Sequence, residues 1–407
     1  MKNNRWSVFG ICAALFLMSM LFRSSAAVIA PDISRDLGLS PNELGLLGAL
    51  FFYVFGAAQF PLGFFLDRVG SKRTMLFLNL LGVVGAVIFG LAKGPSGGFA
   101  GRALLGLGMS ANLMGSLKLF TRWFGPEHFA TISGLMLAVG SFGAVAASSP
   151  LVLLVRTAGW RGAFFCLAGL TLFLCGVFFL VVREAPGSGA REAARAAAVV
   201  TVADTARSLF RSVDFWAISL ASGLRYGAFA AIQTLWAGPF LIIFLGLPAL
   251  TAGNLLLMLN IGSIVGAPTG GYLSDSVLHS RKKTVTLSLA ALSLIVLALS
   301  FWPGPQWLWG LGLLFFGLGF FASFSQVMYA HIKDLMPAGI SGSAMTGINF
   351  FAFLGAGLFL QGLGGLVGKG GASLEGSGDY RSAFLACFVA LLVGTASYCF
   401  SKDSKAR

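Results

Sequence analysis

Of the 407 residues, 57% are hydrophobic and only 10% charged, and the mean hydropathy is +0.86. Soluble globular domains carry about 25% charged residues, so a water-soluble enzyme or binding module is excluded: its apolar surface would have nowhere to go. The net charge of +14 does not point to nucleic acid either, because the basic residues sit between apolar runs and share no face.

In chain order, the apolar runs predict twelve membrane spans, each about as long as the roughly 20 residues a bilayer crossing requires. The first half gives 6–30, 42–66, 74–93, 98–120, 128–153 and 161–183, and the second gives 213–242, 250–274, 284–302, 307–332, 339–367 and 381–401. Lys2 and Arg5 precede the first run as in a signal peptide, but that run extends to about Ala30 and carries Arg23, so a retained helix is expected. The longest polar stretch, 184–212, holds an alanine-rich piece from Arg191 to Ala198 and reads as a linker with a short amphipathic helix, on the membrane surface. The 55 glycines suit helices that pack closely in lipid. Cys12, Cys166, Cys175, Cys387 and Cys399 all lie inside apolar runs without disulfide or metal spacing, so packing is their expected role and no metal or cofactor is implied.

The halves repeat. Pro31 and Pro239, Leu37 and Leu245, Gly63 and Gly271, Asp67 and Asp275, and Arg73 and Arg281 are each 208 residues apart. Later echoes drift: Trp160-Arg161-Gly162-Ala163-Phe164 answers Tyr380-Arg381-Ser382-Ala383-Phe384. Such tandem duplication is an architecture of membrane transporters. The expected fold is therefore an all-α polytopic membrane protein with two pseudo-symmetric six-helix bundles, 1–183 and 213–407, joined by 184–212. With the N-terminus inside, eighteen Lys and Arg fall in inner segments and seven in outer ones, which places both termini and the linker in the cytoplasm.

Twelve spans, a six-plus-six repeat and the loop Gly63-Phe64-Phe65-Leu66-Asp67-Arg68-Val69-Gly70-Ser71-Lys72-Arg73 resemble the major facilitator superfamily. The resemblance implies two six-helix domains that open a central cavity to alternate sides of a bilayer, in a bacterial inner membrane, as a monomer. A narrower likeness, through Arg23, Ala30-Pro31, Asp36-Leu37-Gly38-Leu39-Ser40, Gln59-Phe60-Pro61, Arg102 and Trp123-Phe124, looks like its organic-anion symporters. Phe22 and Met109 stand where that branch carries carboxylates, the branch's proton carriers. Arginines in the first and seventh spans without acids are more similar to the organophosphate exchangers. The expected order of coupling is therefore anion exchange, facilitated movement, then proton symport.

The doubled loop has a physical use as a gate. Asp67, with Gly63, Arg68, Gly70 and Arg73, is expected near the start of the eleventh span, around Gly339 to Ser343, where a helix presents partial positive charge. Asp275, with Arg281, is expected to face the fifth span near Glu127 to Thr131. The alternative for both is a solvated turn that sets topology. Among charges within spans, Lys118 is expected to snorkel to the nearer interface. Arg102 has that bland reading too, but Arg102-x-x-x-Gly106-x-Gly108 also resembles the fourth-span signature of proton-coupled members, and His331 could titrate. Arg23 and Arg225 lie several turns from the nearer face, and a guanidinium keeps its proton. No Asp or Glu lies deep in any span, so a counter-ion that comes and goes, the transported anion, is expected to pair them; carbonyls and waters are the alternative. Arg225, Phe229, Gln233 and Trp236 are spaced as one helix face. Tyr53, Asn112, Asn260, Gln326, Tyr329 and Asn349 could join from facing helices, although each alone also suits interhelical packing.

The function expected is secondary transport of a small carboxylate or phosphorylated anion by alternating access. An exporter of amphipathic compounds such as siderophores or drugs is a second reading, favoured by a cavity lined with Phe and Met. A transporter-like membrane sensor is a third, and the short linker offers it no partner-binding domain. No nucleophile–base set or metal cluster suggests an enzyme.

Overall fold

The computed structural model describes residues 4–124, 129–183, 202–304, 306–337, 340–368 and 379–404. The described chain is helical throughout. In the first half run α1 (Asn4–Ser24), α2 (Ala26–Leu37), α3 (Pro41–Arg68), α4 (Ser71–Leu91), α5 (Pro95–Met109), α6 (Asn112–Trp123), α7 (Phe129–Ala146) and α8 (Ser149–Val181). After α9 (Val202–Arg211) come α10 (Val213–Ala231), α11 (Ala249–Tyr272), α12 (Arg281–Ser300), α13 (Leu308–Ala322), α14 (Ser325–Leu335), α15 (Ser341–Val367) and α16 (Tyr380–Cys399). Eleven stretches among the described residues are long and apolar enough to cross a membrane, and the fifth expected span is represented by the shorter apolar stretch Ile132–Ala146. The short amphipathic helix expected within 184–212 is found as α9, Val202–Arg211; the alanine-rich Arg191 to Ala198 piece lies outside the described residues.

Local chemistry starts the helices where the sequence supplies a cap. Ser40 and Glu43 form a reciprocal box: the Glu43 N–H donates to Ser40 Oγ at 3.3 Å and the Ser40 N–H to Glu43 Oε2 at 2.9 Å. Asp379 accepts from the Ser382 N–H at 2.9 Å and Ser280 from the Lys283 N–H at 3.1 Å. Gly38 and Gly246, 208 residues apart, both adopt the left-handed conformation (φ 64° and 66°) that a side chain resists, so the repeat read in the sequence is also a repeat of backbone geometry.

Among the described residues, five spans are not continuous α-helices. The first breaks at Ser25, between α1 and α2; the fourth at Ser110 and Ala111; the tenth at Ser323 and Phe324. The seventh widens into π turns at Ile232–Trp236 and Phe240–Phe244, and the eighth ends in one at Leu273–Val277. Each interruption frees backbone carbonyls that something must satisfy inside a membrane.

The packing forms two compact units that do not coincide with the repeat. The first comprises Met1–Pro186, Gln233–Leu257 and Leu360–Gly378; the second comprises Gly187–Ile232, Met258–Phe359 and Asp379–Arg407. The end of the seventh span, the start of the eighth and the end of the eleventh thus belong with the first half. Gly238 shows why: a Cβ there would sit 1.5 Å from the Ala27 carbonyl oxygen, so only glycine lets the seventh span lie against α2. Within the first unit α4 packs on α5 and α8, around a core that includes Phe16, Met75, Phe120, Met136 and Phe178. Within the second, α12 packs on α16 and α13, and Phe215, Ile218, Val285, Met328 and Ile348 share a core.

Candidate functional site

The cations divide by what they touch. The last carbonyls of a helix carry partial negative charge and have no partner in their own helix. Six side chains supply one. Arg102 donates from Nη1 to the Phe22 carbonyl at 2.8 Å and from Nη2 to the Arg23 carbonyl at 3.2 Å, at the end of α1. Lys118 reaches the Leu66 carbonyl at 2.5 Å, in the last turn of α3. Arg161 reaches Ala92 at 3.0 Å, just past α4. Lys72 reaches Phe179 at 2.7 Å, in the last turn of α8, and Lys282 reaches Cys399 at 2.6 Å and Ser401 at 2.7 Å, at the end of α16. Arg225 donates from Nη1 to the Ala322 carbonyl at 2.6 Å, where α13 breaks off.

Arg23 is different. It is half-buried, on the last turn of α1, and among the described residues its hydrogen bond is to Met20 Sδ at 2.8 Å, on its own helix. A thioether sulfur is a weak acceptor, so most of the guanidinium's five donors are left for something else. Arg225 lies between the two extremes. It is 5% exposed, its Nε has no hydrogen-bond partner, and Tyr329 and Tyr226 face it. Tyr329 donates its hydroxyl to Asn349 Oδ1 at 2.8 Å, so three of the expected site residues, Arg225, Tyr329 and Asn349, do gather in the second unit.

Other expected residues are engaged elsewhere. Trp236 is buried and gives its single N–H to the Leu360 carbonyl at 3.0 Å. The π turn at Ile232–Trp236 breaks the spacing that would have continued the Arg225 face, and Gln233 and Trp236 fall in the first unit while Arg225 falls in the second. Asn112 forms a reciprocal amide pair with Asn79, at 2.7 and 3.1 Å, and donates to the Leu15 carbonyl: interhelical glue with its groups filled. Tyr53 pairs with Gln361 Oε1 at 3.2 Å. The Gln326 side chain lies outside what is described. His331 is fully buried; Lys402 offers it a carbonyl at 2.9 Å, which can only accept, so Nε2 carries the hydrogen and Nδ1 accepts from the Tyr398 hydroxyl at 2.5 Å. Both ring nitrogens are engaged, and through them His331 ties α14 to the end of α16 and the segment after it. Through the Leu66 carbonyl, Lys118 ties α6 to the end of α3.

The expected gate is described in part. Gly63, Asp67 and Arg68 lie on α3, their side-chain surroundings outside the described residues, as are Gly339 and Glu127 to His128. Gly70 precedes α4 with φ 97°, and Arg73 is exposed. Asp275, 56% exposed, pairs with Arg281 at 3.2 Å, and Arg281 also holds Asp334 at 2.5 Å.

At the end of α2 is a cluster that the sequence does not announce. Asp36, at the end of α2, accepts from Trp160 Nε1 at 2.9 Å and from Arg161 at 2.5 Å, while Arg35 lies 3.7 Å away. The Trp160 hydrogen bond first, then Arg161, holds the Asp36 carboxyl below the usual range. Each residue stands in a motif of the repeat, but nothing in their spacing pairs them.

The family model of the Major Facilitator Superfamily matches residues 11–360. A probable galactarate/D-glucarate transporter of Escherichia coli K12 is 23% identical, covering 92% of this chain and 88% of that protein. A D-galactonate transporter of Escherichia coli O6:H1 is 25% identical over 82% of each. A probable sulfoacetate transporter of Cupriavidus necator is 23% identical, over 71% of this chain and 68% of the other. Among solved structures, a bacterial homologue of the human lysosomal transporter Spinster superposes with a TM-score of 0.80 at 15% identity, covering 98% of this chain and 97% of the other. A D-xylose–proton symporter gives 0.76 at 15% identity, over 99% of each. These superpositions concern the fold alone.

Proposed function

Because the chain belongs to the Major Facilitator Superfamily, a family of membrane transporters, we propose that it carries a small organic acid and that Arg23 and Arg225, each within its own unit, are the groups that bind the acid's charge. One observation carries this reading. Arg23 is a permanent cation in the first span whose neighbour in hydrogen-bond reach is a sulfur, whereas six other side chains of like charge are engaged by helix-end carbonyls. An ion left in that condition in a membrane is costly unless a counter-ion arrives. The three relatives, named for galactarate and glucarate, for galactonate and for sulfoacetate, all concern acids that could be that counter-ion.

Exchange of one anion for another is the coupling that suits these residues. With two fixed cations and no carboxylate deep in the spans, the loaded carrier is the one whose charge is compensated. Both termini facing the cytoplasm of a bacterial inner membrane, and a monomer as the working form, complete the reading. The loop carboxylates Asp67 and Asp275 keep their proposed role as inner gates, and uptake undiminished in Asp67→Asn at normal surface expression would remove it.

The test is a thermal-shift screen of the purified protein with D-galactonate, D-glucarate, D-glucuronate, sulfoacetate and glycerol phosphate, repeated on Arg23→Ala and Arg225→Ala. Stabilisation of the wild type by at least one acid, lost in Arg23→Ala, is expected. No stabilisation by any acid, or equal stabilisation of the double variant, would overturn the reading.

A further inference from the structure

Resting on Arg23 as an anion-binding group, we propose that Arg102 is its positioning residue: it clamps the broken end of α1 so that the Arg23 side chain remains available to the anion. The helical run of the first span is interrupted at Ser25, between α1 and α2, and the carbonyls of Phe22 and Arg23 lie in the last turn before the interruption. Two donors of one planar guanidinium take these consecutive carbonyls, a fork that fits them as no lysine can. The Ser25 hydroxyl adds a third hydrogen bond, to the Phe22 carbonyl at 3.0 Å.

The clamp is itself immobile. Arg102 is 1% exposed, and its guanidinium lies 5.0 Å from the centre of the Phe51 ring. One turn further along, a Cβ on Gly106 would come within 2.4 Å of the Phe51 carbonyl oxygen, so α5 is pressed against α3 at this level. The peptide planes of Phe22 and Arg23 are therefore held by a side chain that cannot move without repacking two spans. Holding those planes fixes the direction in which the Arg23 side chain leaves the backbone.

There is also an electrostatic part. The end of α1 carries a partial negative charge close to Arg23, and without a cation it would compete for that guanidinium and repel an incoming anion. Arg102 neutralises it. A proton-coupling role would instead require an acceptor that titrates, and its acceptors are main-chain carbonyls; Phe22 and Met109, both buried, stand where the related symporters are expected to carry acids. The repeat does not predict the clamp, since Arg102 lies on the fourth span and no arginine occupies the matching place on the tenth.

The experiment uses the full chain in detergent and in liposomes, with Arg102→Lys, Arg102→Gln, Ser25→Ala and Arg23→Ala. Hydrogen exchange of the amides between residues 22 and 30 reads the hold on α1 without reference to any substrate. Affinity for D-galactonate, D-glucarate, D-glucuronate and sulfoacetate reads its consequence. Expected are faster exchange at 22–30 in both Arg102 variants and affinity weakened by about tenfold in Arg102→Gln, the loss of roughly one charge-assisted hydrogen bond. Arg102→Lys, which restores charge but not the fork, should recover part of that affinity, with the maximal transport rate retained. Unchanged exchange in both variants overturns the clamp. Faster exchange with unchanged affinity, while Arg23→Ala abolishes binding, leaves a mere helix cap and overturns the positioning role. Should Arg23→Ala bind like the wild type, the reading of Arg23 itself is what has failed, and the positioning role falls with it.

Discussion

The two units treat a buried arginine in opposite ways. In the first, two residues divide the work: Arg102 closes the end of a broken helix, and Arg23 next to it is, among the described residues, engaged by a sulfur. In the second, Arg225 closes the end of α13 through one donor, and its Nε, like that of Arg102, has no hydrogen-bond partner among the described residues, here beside Tyr329 and Tyr226. A tandem duplication thus arrived at the same requirement, a cation for the end of an interrupted helix, from different spans. The difference teaches that a charge inside a span is not by itself a ligand site. Most such charges here complete the backbone, and the informative one is the charge whose donors remain free.

The variants that separate these roles should differ most. Arg23→Ala is expected to reduce uptake of a stabilising acid to background while folding normally, because no carbonyl loses its partner; proteoliposome uptake with a thermal melt checks both. A melt lowered as far as that of the Arg225 variant would erase the contrast between the units. Arg225→Ala should do two things at once: weaken binding and destabilise the protein by about 2–4 kcal/mol, since it strips the Ala322 carbonyl and leaves a hole. Parallel melts of the two variants decide whether the second unit joins both roles in one residue.

A smaller effect tests the pseudo-symmetry itself. Lys72 and Lys282 both open the third helix of their half and both reach the end of its sixth, at Phe179 and at Cys399, which the drifted repeat places in register. Among the described contacts, Lys72 reaches the Phe179 carbonyl and Lys282 reaches two carbonyls, those of Cys399 and Ser401. Replacing either by Met should cost about 0.5–1 kcal/mol, the exposed end of the scale for a cation at a helix C-terminus, with Lys282 the more costly. Equal melts, or a larger drop for Lys72, would show that the second carbonyl contributes nothing.

The sequence carried the fold because hydropathy and a repeat are written over long windows and do not depend on side-chain geometry. Gly38 and Gly246 were visible as glycines at a fixed offset, and the structure needs both in the left-handed region. The isolated arginines were visible too, since a permanent charge among apolar residues stands out. What side chains do with their donors was not. Nothing in the spacing says that Arg102 meets carbonyls three spans back, that Asn112 is matched by Asn79, or that His331 is closed off between Tyr398 and Lys402. The π turn at Ile232–Trp236 defeated a sound periodicity argument, because one wide turn moves every later residue off the face of Arg225.

The outer ends of the two halves give the gentlest test. Trp160-Arg161 and Tyr380-Arg381 correspond, but the residue matching Asp36 is Phe244, so the second half has no carboxylate there and Arg381 instead lies over the Phe301 ring at 4.2 Å. Only the first half should therefore sense acid at this end. The Asp36 carboxyl is held below its ordinary value by Trp160 and Arg161, so its contribution to stability is complete above the unfolded-state pKa and is lost as pH falls through the lower, folded one. Melts of wild type and Asp36→Asn should differ at neutral pH and converge as the pH falls below about 4, the ordinary range of an aspartate. The exposure of the ion pair keeps the neutral-pH gap small. A gap that persists undiminished at low pH would mean that Asp36 acts through its shape and the Trp160 hydrogen bond, with its charge irrelevant, and the two outer ends would then be alike in mechanism after all.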